Sequence, residues 1–496
     1  MISKIEKIAV TKESYPFQAA AERCSLAEHG YAEDEYFMSG TANVYEETDA
    51  EHHVRVMHPD APYTTRLLIR RPVEKEKFSG NIVVEILNAS AMMDIDRMWV
   101  NTWQYLVRNG DIYIGITSKG HVVDTLKRFD PDRYAPICWD NPLPEREKPS
   151  DTGTFPFLPQ YESGLFWDML IELARLLRTE DERNPIREYG PAYLYLLGWS
   201  QSGSYMSRIL HSFAYRPENR DGAPLFDGYL EAGADASLAP VNAYAITMND
   251  GRIGRDGCVP KHGVLMSREP YIAINTESEN RGANWGPDRD LPDWKFRSYQ
   301  IAGSSHDSKY NLLDYYEGYL YEDAKKYNFE LKFGGIEGEP LDTPHQYVFH
   351  AALRNLYVWV RDGVPAPHAE PIRTRAIREG ESDPLAAIGD LSGKCENEKD
   401  AFGNTVGGIR MAALDYPVGR YRSCSVQGEG KIDPMFGTVY PFSPETLQAL
   451  YGSLAHYREL VTESAKQTEA LGFLLREDRD DYIEATVSLA QKRGLR

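Results

Sequence analysis

The sequence lacks the features that mark several specialised classes of protein. No apolar run approaches the length of a membrane span, and residues 1–10 contain neither the apolar core nor the cleavage site of a secretory leader. Low-complexity tracts and internal repeats are absent, so we expect a chain that is folded throughout. The five cysteines are scattered without C-x-x-C spacing, which disfavours a disulfide framework and a zinc site. We therefore expect a reduced, cytoplasmic protein.

Positive charge is in short supply. The chain has 55 Lys and Arg residues against 75 Asp and Glu residues, which gives a formal net charge of −20. An excess of negative charge repels anionic partners, so the composition argues against nucleic acid and against an anionic membrane surface. We expect a small-molecule substrate and no cofactor or metal. The sequence leaves open whether the chain forms a homo-oligomer.

Patterns of strands and helices alternate along most of the chain. Residues 64–72 predict a partly exposed strand that ends at Pro72. Buried strands are predicted at residues 81–87 and 112–117, and further strands at 192–197, 226–231, 270–275 and 296–302. Helices are predicted at about 98–109, 161–178, 205–213 and 345–361. This order predicts an α/β fold with a mostly parallel central sheet and helices on both faces.

We expect a catalytic domain over residues 1–370 and a C-terminal segment over residues 371–496. The segments near 119–160 and 233–265 carry many turn-forming residues and little periodicity, so we predict lid or cap insertions there. The C-terminal segment begins as a polar linker and ends in helices that pack on the catalytic domain. One of these helices is predicted to have Ser443 as its N-cap.

Residues 192–203, A-Y-L-Y-L-L-G-W-S-Q-S-G, are the most informative stretch. An apolar strand breaks at Gly198, Ser200 follows, and helical spacing begins at about Tyr205. A strand, a sharp turn with serine at its apex and a helix are typical of a nucleophile elbow, in which the strained turn exposes the hydroxyl. Ser202 is a weaker candidate nucleophile, because no glycine precedes it by two positions.

A serine nucleophile needs a histidine base and a carboxylate that orients the base. In elbow-containing enzymes the acid and then the histidine follow the serine along the chain, each after a late strand. Glu277 and Glu279 follow one predicted strand, and His306 follows the next. We favour His306 over His345 as the base, and we expect His350 on the packed side of its helix. Glu279 lies deeper in its loop than Glu277, so we favour it as the acid.

Donors for the developing oxyanion are expected from two backbone segments. The N–H of Gln201, at the start of the elbow helix, is the first. The second should come from Asn88, Ala89 or Ser90, which follow the predicted strand 81–87, and we assign it to Ala89. Asn88 and Trp199 are candidates for substrate binding, with a turn residue as the alternative for Asn88. Other tryptophans, such as Trp99 and Trp103, could line an aromatic or sugar-binding pocket, and packing in the core is the alternative for them.

The glycine-rich stretch 403–410, G-N-T-V-G-G-I-R, carries Asn404 and Arg410. These glycines are consistent with simple turns. The functional alternative is that the loop folds over the mouth of the site, with Asn404 or Arg410 in contact with substrate, since binding groups are often placed on loops held by a rigid scaffold.

Several motifs in order carry a resemblance to a known family. They are V-V-E-I-L-N at 83–88, R-F-D-P-D-R-Y at 128–134, G-W-S-Q-S-G at 198–203, F-D-G-Y-L at 226–230, N-T-E-S-E at 275–279, I-A-G-S-S-H-D at 301–307, W-V-R-D-G-V-P at 359–365 and G-N-T-V-G-G-I-R at 403–410. Nearly end to end, the chain resembles the alpha/beta-hydrolase domain family of bacterial proteins. The resemblance implies an α/β-hydrolase fold and places the nucleophile and base at Ser200 and His306. The family's acid is usually the Asp of T-E-x-D; here that position is Glu279, which leaves Glu277 open.

The resemblance implies serine-dependent ester hydrolysis without naming a substrate. We therefore expect a carboxylic ester hydrolase that acts through an acyl-enzyme with a Ser-Glu-His triad. Acyl transfer or amide hydrolysis by the same triad is an alternative, and a catalytically silent binding protein on the same fold is another. The elbow carries Ser200 where dehalogenases and epoxide hydrolases carry Asp, which disfavours those reactions.

Overall fold

The structure is a computed structural model that describes residues 1–49, 51–145, 158–219, 222–234, 238–244, 266–279, 286–316, 320–325, 335–377 and 395–496. The chain divides into two compact units. The first comprises Met1–Pro270 with Gly318–Glu330, and the second comprises Tyr271–Glu317 with Leu331–Arg496. Within the described ranges, every helix is too short or too polar to cross a membrane.

The described residues of the first unit form seven strands of a sheet. They are β1 (Ile2–Ile8), β2 (Tyr31–Glu47), β3 (Val54–Pro72), β4 (Asn81–Ile86), β5 (Ile112–Ile116), β6 (Tyr193–Trp199) and β7 (Gly228–Ala232). Their order across the sheet is β1-β2-β3-β5-β4-β6-β7. Strand β1 pairs antiparallel with β2, β2 with β3, and β3 with β5. The neighbouring strands β5, β4, β6 and β7 are parallel to one another. Parallel strands end at one edge of a sheet, so the loops after β4, β5 and β6 meet there.

Strand β3 is longer and more buried than the sequence predicted. It begins at Val54, and the prediction of a partly exposed strand is wrong for residues 65–70, which are buried. Two of these buried residues are arginines: Arg66 is paired with Glu35, and Arg70 lies 2.7 Å from Asp96. Because each guanidinium meets a buried carboxylate, the strand buries charged residues that alone would favour solvent.

The helices of the first unit are α1 (Arg97–Asn109), α2 (Val123–Phe129), α3 (Pro131–Tyr134), α4 (Phe166–Leu176), α5 (Gln201–Ile209) and α6 (Leu320–Lys325). The first turn of α1 is capped by Glu85 of β4, whose carboxylate accepts hydrogen bonds from the backbone N–H groups of Met98 and Trp99. The helix ends at Gly110, which adopts a φ of 83° that favours glycine. Helix α5 packs on β6, so the elbow sequence joins two packed elements.

The second unit contains three strands of a sheet in the order β8-β10-β9: β8 (Tyr271–Thr276), β9 (Arg289–Leu291) and β10 (Trp294–Ile301). Strands β8 and β10 are parallel, and β9 pairs antiparallel with β10. Helix α7 (Gln346–Asp362) contacts β8 and ends at Gly363, as the sequence predicted.

The rest of the second unit mixes short strands with helices. The strands are β11 (Glu339–Pro340), β12 (Thr374–Ala376), β13 (Cys395–Asn397), β14 (Gly419–Arg422), β15 (Ser425–Val426), β16 (Ile432–Asp433) and β17 (Thr438–Pro441). The helices are α8 (Ala412–Asp415), α9 (Pro444–Tyr451), α10 (Leu454–Ala470) and α11 (Arg479–Lys492). The predicted cap of α9 is confirmed, because the Ser443 side chain accepts a hydrogen bond from Thr446 N. The sequence analysis did not predict the three-stranded sheet β11-β17-β14.

Two predicted insertions lie partly outside the described residues. The first, near 119–160, contains helices α2 and α3, and its residues 146–157 lie outside. Most of the second, near 233–265, also lies outside. Their roles as lid or cap, and the predicted domain boundary near residue 370, stay predictions.

Candidate active site

Ser200 lies in a strained turn between strand β6 and helix α5. Its φ is 57° and its ψ is −119°. A positive φ is unusual for a residue with a side chain and is maintained only where the surrounding structure enforces it. Here the Ser200 N–H donates to Ala232 O at 2.8 Å, and its carbonyl accepts from Gly203 N at 2.8 Å. This is the geometry that the elbow sequence predicts.

Two glycines allow the close packing around this turn. A Cβ on Gly198 would lie 2.8 Å from Ser202 O, and a Cβ on Gly203 would lie 2.5 Å from the Cβ of Ala234. Both separations are shorter than real Cβ atoms show. Helix α5 can therefore approach β6 at Gly198, and the end of β7 at Gly203, only because these positions lack side chains.

Asn88 and Trp199, two predicted substrate-binding residues, meet directly beside the elbow. The Asn88 side chain donates from Nδ2 to Trp199 O at 3.0 Å and accepts from Ser90 N at 2.9 Å. The Trp199 side chain is 1% exposed, and the Arg97 guanidinium carbon lies 5.4 Å from its ring centroid. These contacts support the turn that carries Ser200. A role of either residue in binding substrate stays a prediction.

The loop after β4 leaves one backbone donor uncommitted. Asn88 N donates to Ile95 O at 2.9 Å, and Ser90 N donates to Asn88 Oδ1. Among the described residues, Ala89 N donates no hydrogen bond. Of the three candidates for the second oxyanion donor, Ala89 is therefore the one whose N–H can still bind a ligand.

Gln201 is the first residue of helix α5. A backbone N–H at this position has no acceptor within its own helix. The aligned peptide dipoles also place partial positive charge at this end of the helix. Both properties suit the first oxyanion donor. Strands β4 and β6 are neighbours and parallel, so Ala89 and Gln201 follow the same edge of the first unit's sheet.

His306 and Glu279 form a hydrogen-bonded pair in the second unit. His306 lies in the loop after β10, Glu279 lies in the loop after β8, and His306 Nδ1 is 2.7 Å from Glu279 Oε1. Their side chains are 8% and 6% exposed. An imidazole whose Nδ1 faces a carboxylate is oriented as in a triad base, in which Nε2 is the nitrogen that transfers the proton.

The Glu279 carboxylate is held on both of its oxygens. Its Oε2 accepts from Thr276 N at 2.8 Å and from Thr276 Oγ1 at 2.6 Å. Burial raises the pKa of Glu279, but the hydrogen bond and charge of His306 and the hydrogen bonds from Thr276 outweigh it, so the pKa is lowered from its usual value. Glu279 is therefore ionised at neutral pH.

Glu277, the alternative acid, faces other partners. It is 2% exposed, and its Oε1 accepts from Gly303 N. Its Oε2 accepts from Thr405 Oγ1 at 2.9 Å and lies 3.8 Å from Lys399 Nζ. Glu277 thus joins the loop that carries His306 to the segment around Thr405.

The other candidate histidines have different surroundings. His345 lies at the N-cap of α7, where Nδ1 is 3.2 Å from Thr343 O. His350 is 1% exposed, on the packed side of α7 as predicted, and its Nδ1 lies 2.8 Å from the buried Asp478. This pair links α7 to Asp478, the residue before α11. Neither residue belongs to the loops that follow β8 and β10 in the sequence.

Within the second unit, segment 403–410 lies beside the end of β10, which leads into the loop that carries His306 (the base loop). Ile409 forms a parallel bridge with Ile301, the last residue of β10. The buried Asn404 side chain donates to Gly419 O at 3.2 Å and accepts from Tyr421 N at 2.8 Å. Arg410 donates to Leu414 O at 2.7 Å and lies 3.3 Å from both Asp400 and Asp415. Substrate contacts by Asn404 and Arg410 stay predictions.

Metal binding is not suggested by the described side chains. No group of three or more His, Cys, Asp or Glu residues in the described ranges is arranged to hold an ion.

Lys119, which no sequence motif indicates, lies beside the elbow. This lysine follows β5 and is 1% exposed, and its Nζ lies 3.0 Å from Ser202 Oγ. Its position directly after a buried strand of a parallel sheet was the available signal, since residues at that edge are often functional. It was overlooked because a single lysine in a polar loop is usually solvated.

The sequence matches the model of the alpha/beta hydrolase domain over residues 5–484. The chain belongs to the alpha/beta hydrolase domain family. This finding confirms the family resemblance and the α/β-hydrolase fold predicted from the sequence. A comparison with curated proteins finds no match.

The chain also has distant similarities to solved structures. Esterase Est22 has 10% identity and a TM-score of 0.27, with 52% of this chain and 67% of that chain covered. The siderophore hydrolase EstA from Aspergillus nidulans has 14% identity and a TM-score of 0.25, covering 57% and 78%. The carboxylesterase Cest-2923 from Lactobacillus plantarum WCFS1 has 10% identity and a TM-score of 0.26, covering 48% and 71%. The family match, and not these similarities, carries the assignment.

Proposed function

We propose that the protein is a serine-dependent hydrolase of carboxylic esters, with Ser200 as nucleophile, His306 as base and Glu279 as acid. The observation that carries the proposal is the backbone of Ser200, which combines a φ of 57° with a place between a buried strand and a helix. A strained serine at this junction serves to present a nucleophilic hydroxyl. The His306–Glu279 pair supplies the second requirement of the same chemistry.

In the proposed reaction, Ser200 Oγ attacks the ester carbonyl carbon while His306 Nε2 accepts the hydroxyl proton. Glu279 stabilises the imidazolium that forms. The N–H groups of Gln201 and Ala89 donate to the oxyanion of the tetrahedral intermediate. His306 then returns the proton to the leaving alkoxide, which departs and leaves an acyl group on Ser200. Water, deprotonated by His306, attacks the acyl-enzyme and releases the carboxylic acid and free Ser200.

Ser202 is disfavoured as the nucleophile by its own contacts. It is fully buried, and its hydroxyl lies 3.2 Å from Leu87 O and 3.0 Å from Lys119 Nζ. The proposal also retains a small-molecule ester as the partner, a cytoplasmic location, and substrate contacts by Asn88, Trp199, Asn404 and Arg410.

The test combines active-site labelling with hydrolysis of p-nitrophenyl esters of increasing acyl length, followed by aryl and sugar esters. A fluorophosphonate probe should label Ser200, and Ser200→Ala should remove both labelling and ester hydrolysis while thermal unfolding is unchanged. Ser202→Ala is the matched control for labelling and should retain it. Labelling of Ser200→Ala at Ser202 would contradict the assignment, and an unlabelled wild-type chain that hydrolyses no ester would favour a binding protein.

A further inference from the structure

The feature that the proposed mechanism does not use is a buried lysine beneath the elbow. The Lys119 side chain enters the first unit from the loop after β5 and is 1% exposed. Its Nζ lies 3.2 Å from Leu87 O, 2.7 Å from Ser118 Oγ and 3.0 Å from Ser202 Oγ. A buried amine is unfavourable unless its N–H groups have acceptors. These three acceptors meet that need.

The acceptors belong to the two segments that carry the proposed oxyanion donors. Leu87 is two residues before Ala89, and Ser202 is the residue after Gln201. The Ser202 hydroxyl also lies 3.2 Å from Leu87 O, so the two segments meet at one carbonyl. A single amine thus links the β4 loop to the first turn of α5.

Further hydrogen bonds hold the carbonyl groups of the loop after β4. Ser118 Oγ donates to Leu87 O at 2.8 Å, and His121 Nε2 lies 2.9 Å from Ala89 O. The Asn88 carbonyl accepts from Ile95 N at 2.8 Å. A trans peptide holds the Ala89 N–H antiparallel to the Asn88 carbonyl, so the hydrogen bond from Ile95 N fixes the direction of this donor, and the bonds to the Leu87 and Ala89 carbonyls fix the peptide units on either side.

We propose that Lys119 is a positioning residue for the oxyanion hole, because it holds the Ala89 loop and the Gln201 helix turn in one fixed arrangement. Oxyanion donors accelerate acyl transfer only when they are already aimed at the place where charge develops. A link between their two segments provides this preorganisation without touching the substrate. The inference rests on the proposed function.

The chemistry of the amine agrees with a structural link that works near neutral pH. Burial lowers the pKa of Lys119 to about 7, while the charge of Asp94 acts in the opposite direction. The protonated amine donates three hydrogen bonds, and the neutral amine still donates two. Its Nζ also lies 4.3 Å from the ring centroid of Tyr205, which stabilises the charged form further.

The experiment compares Lys119→Met with the wild type, using p-nitrophenyl acetate and a trifluoromethyl ketone that forms a tetrahedral adduct with the nucleophile. Methionine keeps the length of the side chain and removes the donors. We expect kcat to fall by roughly tenfold to a hundredfold with KM nearly unchanged, less than the loss expected for a deleted oxyanion donor. Affinity for the ketone should fall by a similar factor, because it reports the oxyanion and not the ground state.

Arg297→Met is the matched control for the loss of a buried cation. Arg297 is 1% exposed and donates to Ala366 O at 2.7 Å, and it lies in β10, outside the proposed machinery. Its substitution should lower the melting temperature and leave kcat unchanged. If Lys119→Met behaves in the same way, with ketone affinity preserved, Lys119 has only a structural role and the proposal is overturned.

A second variant keeps the proposal testable if Lys119→Met does not fold. Ser202→Ala removes one acceptor of Lys119 by a small change and should lower kcat and ketone affinity together, by a smaller factor. Unchanged values in a folded Ser202→Ala would contradict the link. Ester hydrolysis that persists in Ser200→Ala would instead overturn the proposed function, so the two failures are distinguishable.

Discussion

Glu279 and His306 are joined by a hydrogen bond of 2.7 Å between Oε1 and Nδ1, and the second oxygen of Glu279 is bound by Thr276. The carboxylate therefore cannot turn away from the imidazole without losing two further hydrogen bonds. Facing Nδ1, it favours the tautomer that carries its proton there and leaves Nε2 as an acceptor. This relationship distinguishes Glu279 from Glu277, whose oxygens face Gly303 and Thr405.

The first prediction concerns the choice of acid. Glu279→Gln removes the negative charge opposite His306 and allows the wrong tautomer, so kcat should fall by roughly a hundredfold to ten-thousandfold. Glu277→Gln keeps the size of the side chain and weakens its buried hydrogen bonds with Gly303 and Thr405. It should lower the melting temperature and leave kcat little changed. Steady-state kinetics on both variants with one p-nitrophenyl ester would measure this. Equal small losses of kcat would mean that the carboxylate comes from elsewhere.

The second prediction concerns the base. His306→Ala should lower kcat by at least about a thousandfold, as expected for a triad member. His345→Ala is the matched control and should lose far less, because its Nδ1 faces the Thr343 carbonyl. The reverse ranking of the two variants would move the base to α7.

The strained turn at Ser200 and the contact between Glu279 and His306 were predictable because their signals are local. Gly198 and Ser200 stand between a run of strand length and a run of helical spacing, and the chain order of acid and histidine restricts the remaining choices. Glu279 could be preferred over Glu277 only by its place in the loop. The contact with His306 spans 27 residues of sequence and needs the parallel pairing of β8 and β10 to form.

The buried charges could not be predicted from local pattern. Glu35 and Arg66 are 31 positions apart, and Glu35 also meets Arg133 from 98 positions away. A charged residue that is buried with a partner looks the same in sequence as one that faces solvent. The strands β11, β15 and β16 were missed for another reason: two residues are too few to show the alternation of a strand.

A third prediction tests the close packing behind Ser200. In Gly203→Ala the added methyl would lie 2.5 Å from the Ala234 Cβ and 2.8 Å from Glu231 Oε1, so helix α5 or β7 must shift. We expect the free energy of unfolding to fall by about 1–3 kcal/mol, with loss of fluorophosphonate labelling as the turn moves. Gly428→Ala is the control, since no described residue other than its chain neighbours has an atom within 4 Å of its added Cβ. A stable, fully labelled Gly203→Ala would contradict the packing argument.

A fourth prediction follows from Glu85, which caps α1 and also accepts from Tyr113 OH at 2.8 Å. Burial, with a smaller contribution from Asp96, raises the pKa of Glu85 from 4.5 to about 8. The folded state then binds more protons than the unfolded state between these values. The contribution of Glu85 to stability is therefore fully present below about pH 4.5 and is lost as the pH rises through 8.

Glu85→Gln removes this titration while keeping an acceptor for the helix N–H groups. The melting temperature of the wild type should fall relative to that of Glu85→Gln as the pH is raised from about 6 to about 9. Thermal unfolding followed by circular dichroism at several pH values measures the difference. Glu76→Gln, at an exposed position, should track the wild type. Parallel curves for wild type and Glu85→Gln would show that Glu85 does not titrate in this range.

The last prediction concerns Asn404 in the glycine-rich segment. Its side chain is fully buried and satisfies two backbone groups of β14, Gly419 O and Tyr421 N. Asn404→Ala leaves both groups without a partner, and each buried group left unsatisfied costs about 1–3 kcal/mol. We therefore expect a clear fall in melting temperature. The proposed substrate contact of Asn404 is a separate property, which would change the ratios of kcat/KM among acetyl, butyryl and aryl esters.

Arg410→Ala is the companion variant, because Arg410 is partly exposed at 21% and belongs to the same segment. A contact between this segment and substrate would change the ester ratios in one or both variants without a matching loss of stability. If Asn404→Ala unfolds at the wild-type temperature and alters the ratios, its side chain serves the substrate and not the strand. If only Arg410→Ala alters the ester ratios, the two residues have different roles. Asn404 then fixes β14, and Arg410 contacts the ester.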